Sequence, residues 1–370
     1  MKFICSKSNL YNGVKTVQRA VPTRTTMPIL ECILIDATTN EIKLTANDTE
    51  LGIETIIEGD VQEHGIIALD STIFSNIVSK LPDNMVTIET DENFKAHISC
   101  EKAKFDILGK SGDDFSYLPF IEKSQGITIS QFSLKDVIER TSFAIANDDN
   151  NKLMTGELFK INENNLEVVA LDGHRIAVRY IELKESYSPR ELIVPGKTLK
   201  EIKNIIPGNV NENVLIYNTN NHIVFEFEKT TVVSRLIEGD YFKIDSMLST
   251  DYETKVQINK KELYESIDRA TLLVKESDKK PIIMNITDSN MEVMINSYIG
   301  SMDENIDIEK DGRDIMIGFN PKFFTDALKA IDEDEINLYM INPKAPCFIK
   351  DDKGTFIYLI LPVNFNAIAN

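Results

Sequence analysis

Three stretches of the chain open in the same way: a short alternating run, a polar turn, then apolar positions one helical turn apart. They are Phe3–Val21, Ile127–Ala146 and Val256–Val274. Leu10 and Val14, Leu134 and Ile138, and Leu263 and Ile267 are each spaced i, i+4, which predicts one amphipathic helix per stretch. Further on, Ile42, Leu44 and Ala46 alternate with polar residues. Leu166, Val168 and Ala170 do the same, as do Met291, Val293 and Ile295, and this period of two predicts a half-buried strand in each. A second helical face follows: Phe74, Ile77 and Leu81, then Leu199, Ile202 and Ile206, then Phe324, Ala327 and Ile331, offset by 125 residues at every step. Pro82 and Pro207 stand where the first two of these helices should stop. Strand-like MVTIET, ENVLIYN and INLYMIN come next.

Elements recurring in one order at nearly one spacing predict three homologous α+β domains, residues 1–120, 127–246 and 254–370. The turn-rich stretches Ser116–Gly126 and Gly239–Thr254 separate them. Each copy should hold two helices packed on antiparallel sheets of roughly six to eight strands, because the connections are short. A chain of 370 residues is too long for one ordinary core, which agrees with several domains. The longest apolar run, Phe356–Val363, is strand-sized, and MKFICSKSNL is polar where a signal peptide needs an apolar centre. The expectation is a cytoplasmic protein with no membrane partner. Cys5, Cys32, Cys100 and Cys347 lie far apart without a CxxC pair, and His64, His97, His174 and His222 are equally scattered. Neither disulfides nor a metal site is expected, and no cofactor motif is present.

Net charge is −19, which by itself argues against a nucleic-acid partner. The distribution changes that picture. The predicted helices Lys7–Val21, Ser71–Leu81, Ser133–Ala146, Lys197–Ile206, Lys260–Val274 and Pro321–Ile331 carry +3, +1, 0, +2, 0 and +1, leaving −26 on everything else. A set of helices sharing a phosphate-facing surface, with acidic surroundings that repel DNA elsewhere, fits this pattern. So does a plain solvated surface, since Lys is a good helix former.

Several motifs carry a resemblance along the whole chain. They are RTTMPIL (Arg24–Leu30), ALDGHRIAV (Ala170–Val178), VPGKTL (Val194–Leu199), GFNPKFFTDAL (Gly318–Leu328) and YLILPV (Tyr358–Val363). In order, and with the threefold repeat, they resemble the bacterial sliding clamps, the DNA polymerase III beta subunit family. The resemblance implies a head-to-tail homodimer of three-domain protomers forming a ring. Twelve helices side by side at about 9–10 Å leave a hole of about 25 Å, enough for a duplex roughly 20 Å wide. It further implies a non-enzymatic processivity factor that encircles double-stranded DNA without sequence preference. Its partners would be the replicative polymerase subunit, the clamp loader, other polymerases and repair proteins, held through a short linear peptide.

By matched position, Arg24, Lys152 and Lys197 are the DNA-facing residues, with Asp148 and Asp149 on the loop that carries Lys152. The peptide pocket would be lined by Leu171, Gly173, His174, Arg175, Ile176, Met247, Asn320, Phe323, Pro346, Leu361, Pro362 and Val363. Phe105 and Ile107 would face Leu272 and Leu273 of a second copy. Phe242, Ser246 and Lys344 depart from the family pattern at the pocket rim, and the chain continues past Phe365 with Asn366–Asn370. Asp172-Gly173-His174-Arg175 also reads as a hairpin turn, which is compatible with a pocket role. An enzyme built on Asp172, His174 and Arg175 is the competing reading, but no GxSxG, P-loop or dinucleotide fingerprint accompanies it. A scaffold that binds only proteins is the other, and retention on circular DNA would separate it from a clamp.

Overall fold

The computed structural model describes residues 1–119, 121–147, 150–248, 251–274 and 280–365. Among the described residues six α-helices form, two per repeat: α1 Lys7–Val17, α2 Ser71–Lys80, α3 Gln131–Thr141, α4 Gly196–Ile205, α5 Lys260–Thr271 and α6 Pro321–Lys329. Their starts are set by side-chain caps. Ser6 Oγ accepts from the Asn9 N–H, Asp70 Oδ1 from Ile73, Asn259 Oδ1 from Lys261 and Glu262, and Asn320 Oδ1 from Lys322. The paired apolar positions expected from the pattern, Leu10/Val14, Leu134/Ile138 and Leu263/Ile267, are all buried. The first helix of repeats one and two is shorter than the periodicity predicts. Its last turn tightens into a 3₁₀ helix, Gln18–Ala20 and Ser142–Ala144, which keeps the apolar side chains inward while the α pattern ends.

The chain divides into two compact units, and the division runs through the middle repeat. Residues 1–134 and 200–236 form one unit, and residues 135–199 and 237–370 the other. The first holds a five-stranded sheet and a nine-stranded sheet, the second a seven-stranded and a four-stranded sheet. Each larger sheet continues from one repeat into the next. In the first unit, Leu51–Ile57 of repeat one pairs antiparallel with Thr230–Arg235 of repeat two, with Ile53 opposite Val232. In the second, the start of Arg175–Pro195 in repeat two pairs with Phe356–Ile360 of repeat three, with Ala177 opposite Tyr358.

Two strands of the same lineage remain at sheet edges: Ala103–Leu108 ends the five-stranded sheet and Ser301–Asp307 ends the four-stranded one. The strand count exceeds the expected six to eight in repeats one and three and meets it in repeat two. Among the described residues, repeat one has ten, repeat two six and repeat three nine. Repeat two has few because Gly156–Leu171 and Arg175–Pro195 run on as one bent hairpin, with register shifts around Glu163 at φ +53° absorbing the bends that break the chain elsewhere.

The cysteines are buried, free thiols, as their spacing suggested. Burial pushes Cys5 and Cys347 up to about 12, so they behave as small apolar side chains. One buried acid is less comfortable. Glu157 is completely enclosed; its Oε2 accepts from Thr141 Oγ1 at 2.9 Å, while Oε1 has no partner among the described residues. Desolvation raises its carboxyl from 4.5 to about 8. Between those two values the folded chain holds a proton that the unfolded chain has released. This contribution is therefore complete below pH 4.5 and is lost as pH rises through about 8. Glu157→Gln, which stays neutral, should flatten the fall of the urea midpoint between pH 5 and 8.5 and be more stable than the parent at the upper end; an unchanged pH profile would contradict this.

Candidate functional site

In the second unit, the hairpin Gly156–Leu171/Arg175–Pro195 closes over a turn held by one carboxylate. Asp172 Oδ1 accepts from the His174 N–H at 3.0 Å and the Arg175 N–H at 3.2 Å, and the Asp172 N–H donates to the Arg175 carbonyl. Gly173 sits at φ +83° with open space where a Cβ would stand, so backbone conformation, not crowding, selects glycine there. The turn leaves Gly173 and His174 exposed and turns Arg175 inward, only 5% exposed.

A buried guanidinium needs partners, and they come from three sides. Arg175 Nε donates to Asp172 Oδ2 at 2.9 Å, and Nη1 donates to Asp326 Oδ2 of α6 at 2.8 Å. Its plane lies over the rings of Phe323 at 4.6 Å and Phe143 at 5.4 Å. The His174 ring stands 5.8 Å from the Phe323 ring, tilted by 41°. The turn is thereby fixed to the start of α6, whose cap is Asn320. The far end of α6 is fixed as well. The Ala330 carbonyl accepts from Arg140 at 3.0 Å, from Arg179 at 2.8 Å and from the Tyr358 hydroxyl at 3.3 Å. Two cations at the negative end of a helix are a favourable arrangement. Burial pushes the Tyr358 phenol up to about 12, which keeps its proton available for donation.

The tail after the last strand completes the site. The Leu361 N–H donates to the His174 carbonyl at 2.9 Å, and the Val363 N–H to the Gly318 carbonyl at 2.8 Å. Gly318 is required by close approach, since a Cβ there would meet the Phe365 ring at 2.6 Å. Beneath the turn, Leu171 and Ile176 join Tyr241, Ile244 and Leu359 in one apolar cluster, with Phe242 and Leu248 packed against it. Leu361 and Met247 keep 37% and 50% of their surface open, and apolar side chains left bare beside an apolar floor can receive a ligand's own apolar groups.

The structure thus links Leu171, Gly173, His174, Arg175, Ile176, Asn320, Phe323, Leu361 and Val363 through named contacts, with Pro362 between the last two. Met247 and Pro346 reach the site through neighbours. The Met247 N–H bonds the Ile244 carbonyl, and Pro346 precedes Cys347, which pairs with Ile360. Asp326, Phe143, Arg179 and Tyr358 escaped sequence reasoning. Asp326 had a signal: it is the one acid in PKFFTDALK, where a buried arginine would look for one.

The remaining sequence-predicted residues lie elsewhere. In the first unit Arg24 is exposed on the loop after the 3₁₀ helix Gln18–Ala20. In the second, Lys152 and Lys197 are exposed at one end of a single ladder, because Gly156 pairs with Pro195. Asp148, Asp149 and Asn366–Asn370 lie outside the described residues. Phe105 and Ile107 sit on the edge strand Ala103–Leu108. Leu272 is 78% exposed just after α5, and Leu273 is half-buried against the core of repeat three.

Residues 1–119, 128–243 and 245–364 match, in turn, the N-terminal, central and C-terminal domains of the DNA polymerase III beta subunit. The chain belongs to the DNA polymerase III beta subunit family. It is 33% identical to a beta sliding clamp of Staphylococcus aureus, over 98% of this chain and 99% of that one. A crystal structure of a DNA polymerase III beta subunit described as putative, from Eubacterium rectale, is 73% identical with a TM-score of 0.96, covering 99% of this chain and 100% of that one. The DNA polymerase sliding clamp of Bacillus subtilis is 32% identical with a TM-score of 0.94, over 99% and 100%. Within this beta-clamp chain, the Arg175–Asp326 contact predicts its own test. Asp326→Ala leaves a buried cation short of one partner and should cost about 1–3 kcal/mol in urea unfolding. Asp326→Asn should recover part of the loss; two variants as stable as the parent would show that the contact holds nothing.

Proposed function

We propose that this chain is a processivity clamp: two copies join head to tail into a closed ring around duplex DNA, and replication and repair proteins are tethered by a short peptide seated at the Gly173–Ile176 turn. The observation that carries the ring is the junction made twice within one chain. Leu51–Ile57 and Arg175–Arg179 occupy the same place in their repeats and receive Thr230–Arg235 and Phe356–Ile360, which also correspond. The third members of the two series are the open edges Ser301–Asp307 and Ala103–Leu108. Their surroundings are unusually apolar for open surface, with Phe105, Leu108, Leu272, Tyr298 and Ile299 all exposed.

The register follows from the turns. The pairs Asn47/Gly52, Leu171/Ile176 and Asn296/Ser301 each close a four-residue turn. The tight turns Glu101-Lys102 and Glu228-Lys229 align the partner strands. Carrying both alignments to the open edges sets Phe105 opposite Met302 and Lys104 opposite Asp303, an apolar pair beside a charge-complementary one. Phe105→Cys with Met302→Cys should therefore form a disulfide between copies, since directly opposed strand residues lie within disulfide reach. Under oxidation the expected product has twice the 41.9 kDa mass. Absence of that species, with Lys104→Cys/Met302→Cys crosslinking instead, would overturn the register.

Exposed Arg24, Lys152 and Lys197 support contact with phosphates through long, mobile side chains, which is sequence-blind and permits sliding. The acidic remainder of the chain confines DNA to surfaces that carry such cations. Retention on nicked circular DNA, lost when the circle is linearised, is the direct test of encirclement. Replacing Arg24 and Lys197 with Glu should weaken retention equally on all sequences and reduce the salt slope by about one unit per contact removed. A salt dependence identical to the parent's would remove both residues from the DNA face.

A further inference from the structure

The first unit contains a second cleft built on the same frame as the candidate peptide site. Its turn is Asp48-Thr49-Glu50-Leu51. Asp48 Oδ1 accepts from the Glu50 N–H at 3.0 Å and the Leu51 N–H at 2.7 Å, and the Asp48 N–H donates to the Leu51 carbonyl at 3.0 Å. This is the bonding of Asp172, His174 and Arg175 repeated atom for atom. Thr49 takes φ +77° where Gly173 takes +83°, a conformation that a threonine adopts only when its surroundings impose it. The Arg235 N–H donates to the Glu50 carbonyl at 2.9 Å, as the Leu361 N–H does to His174 at the same distance.

Beside this turn lies a cavity of about 210 Å³ whose walls include Leu51, Gly52, Tyr117, Leu118, His222 and Val233. The floor is apolar: Leu118 and Val233 belong to one cluster with Ile121 and Val224. Gly52 stands where a Cβ would come within 2.0 Å of Leu118 Cδ2. The Asn47 side-chain amide donates to the Ser116 carbonyl at 2.6 Å and fixes the segment that carries Tyr117, which is 61% exposed at the mouth. The rim differs in kind from the first site. Glu50 and Arg235 stand 3.9 Å apart, both largely exposed, where the first site has His174 and Leu361.

We propose that this cleft is a second docking site for a short linear peptide, one that inserts a single leucine- or phenylalanine-sized side chain between Tyr117 and Val233. The volume suits one such anchor and is smaller than the roughly 300–1,000 Å³ of sites for whole small molecules. The hairpin turn and the adjoining strand end supply a rigid edge, and the Glu50–Arg235 rim favours charged residues flanking the anchor. The class of ligand, though not the cleft, rests on the peptide reading of the first site. Each protomer would then hold two peptides at once, one in each unit, and a partner with two motifs would gain avidity.

The test uses the full chain and a short peptide containing Gln, Leu and a terminal Leu-Phe pair, with a photoreactive leucine at the anchor. Crosslinked residues are mapped by mass spectrometry across a titration. The expected result is crosslinks at Gly173–Ile176 or Leu361 and, at higher peptide concentration, at Tyr117, Leu118 or Val233. Tyr117→Asp should weaken the second set about tenfold and leave the first unmoved. Leu361→Asp should do the reverse. Crosslinks confined to the first site would overturn the second cleft while leaving the first reading intact. Crosslinks confined to the second would overturn the first reading and uphold the cleft. A second set that Tyr117→Asp does not change would mark surface labelling and also overturn the proposal.

Discussion

The antiparallel pairing of one repeat's strand with the next repeat's strand is the constraint on which the rest depends. Within the first unit it joins Leu51–Ile57 to Thr230–Arg235, and within the second Arg175–Arg179 to Phe356–Ile360. A strand paired on both sides has no open backbone groups to satisfy, so each junction is continuous sheet and buries its neighbours as core. This is why compactness does not follow the repeats: the middle repeat is shared between two units, because each of its sheets belongs to a larger one. The junction is also heterologous. Each repeat offers one kind of edge and accepts another, so the series does not end inside the chain.

The same geometry produces the candidate site. Four-residue turns close one strand of each junction, and the residue after the partner strand bonds back to the turn, Arg235 to Glu50 and Leu361 to His174. A junction therefore always carries a turn, a strand end and an interdomain segment side by side. What distinguishes the two is the side chains placed on that frame. At the second, Arg175 is buried between Asp172 and Asp326 and under Phe323, which ties the turn to α6. Removing a buried cation from water is costly, and the contact is tolerated because the guanidinium finds two carboxylates and two aromatic faces.

The basic character of the helices has two sources. Each helix ends with a Lys or Arg in its last turn: Lys15, Lys80, Arg140, Lys203, Arg269 and Lys329. That placement stabilises any helix through its dipole. Arg140 and Arg269 are further committed to carboxylates, and Arg140 to the Ala330 carbonyl. Part of the charge segregation is thus local helix chemistry, which by position does not account for Lys197 in the first turn of α4.

The sequence by itself determined the threefold repeat, the six helices and the buried thiols, because these depend on periodicity, capping and local spacing that the chain carries in order, and it showed the family through the resemblance of its short motifs. The turn in segment 170–178 was legible, since the Asp-Gly pair and the apolar flanks are neighbours in sequence. Tertiary structure alone decided the rest. That Arg175 would turn inward depends on Asp326, 151 residues away. That two of the repeat junctions are continuous sheets depends on register between strands about 180 residues apart, which no local pattern encodes. The burial of Glu157 and the second cleft arise from what packs around them, and packing partners are chosen by the assembled fold.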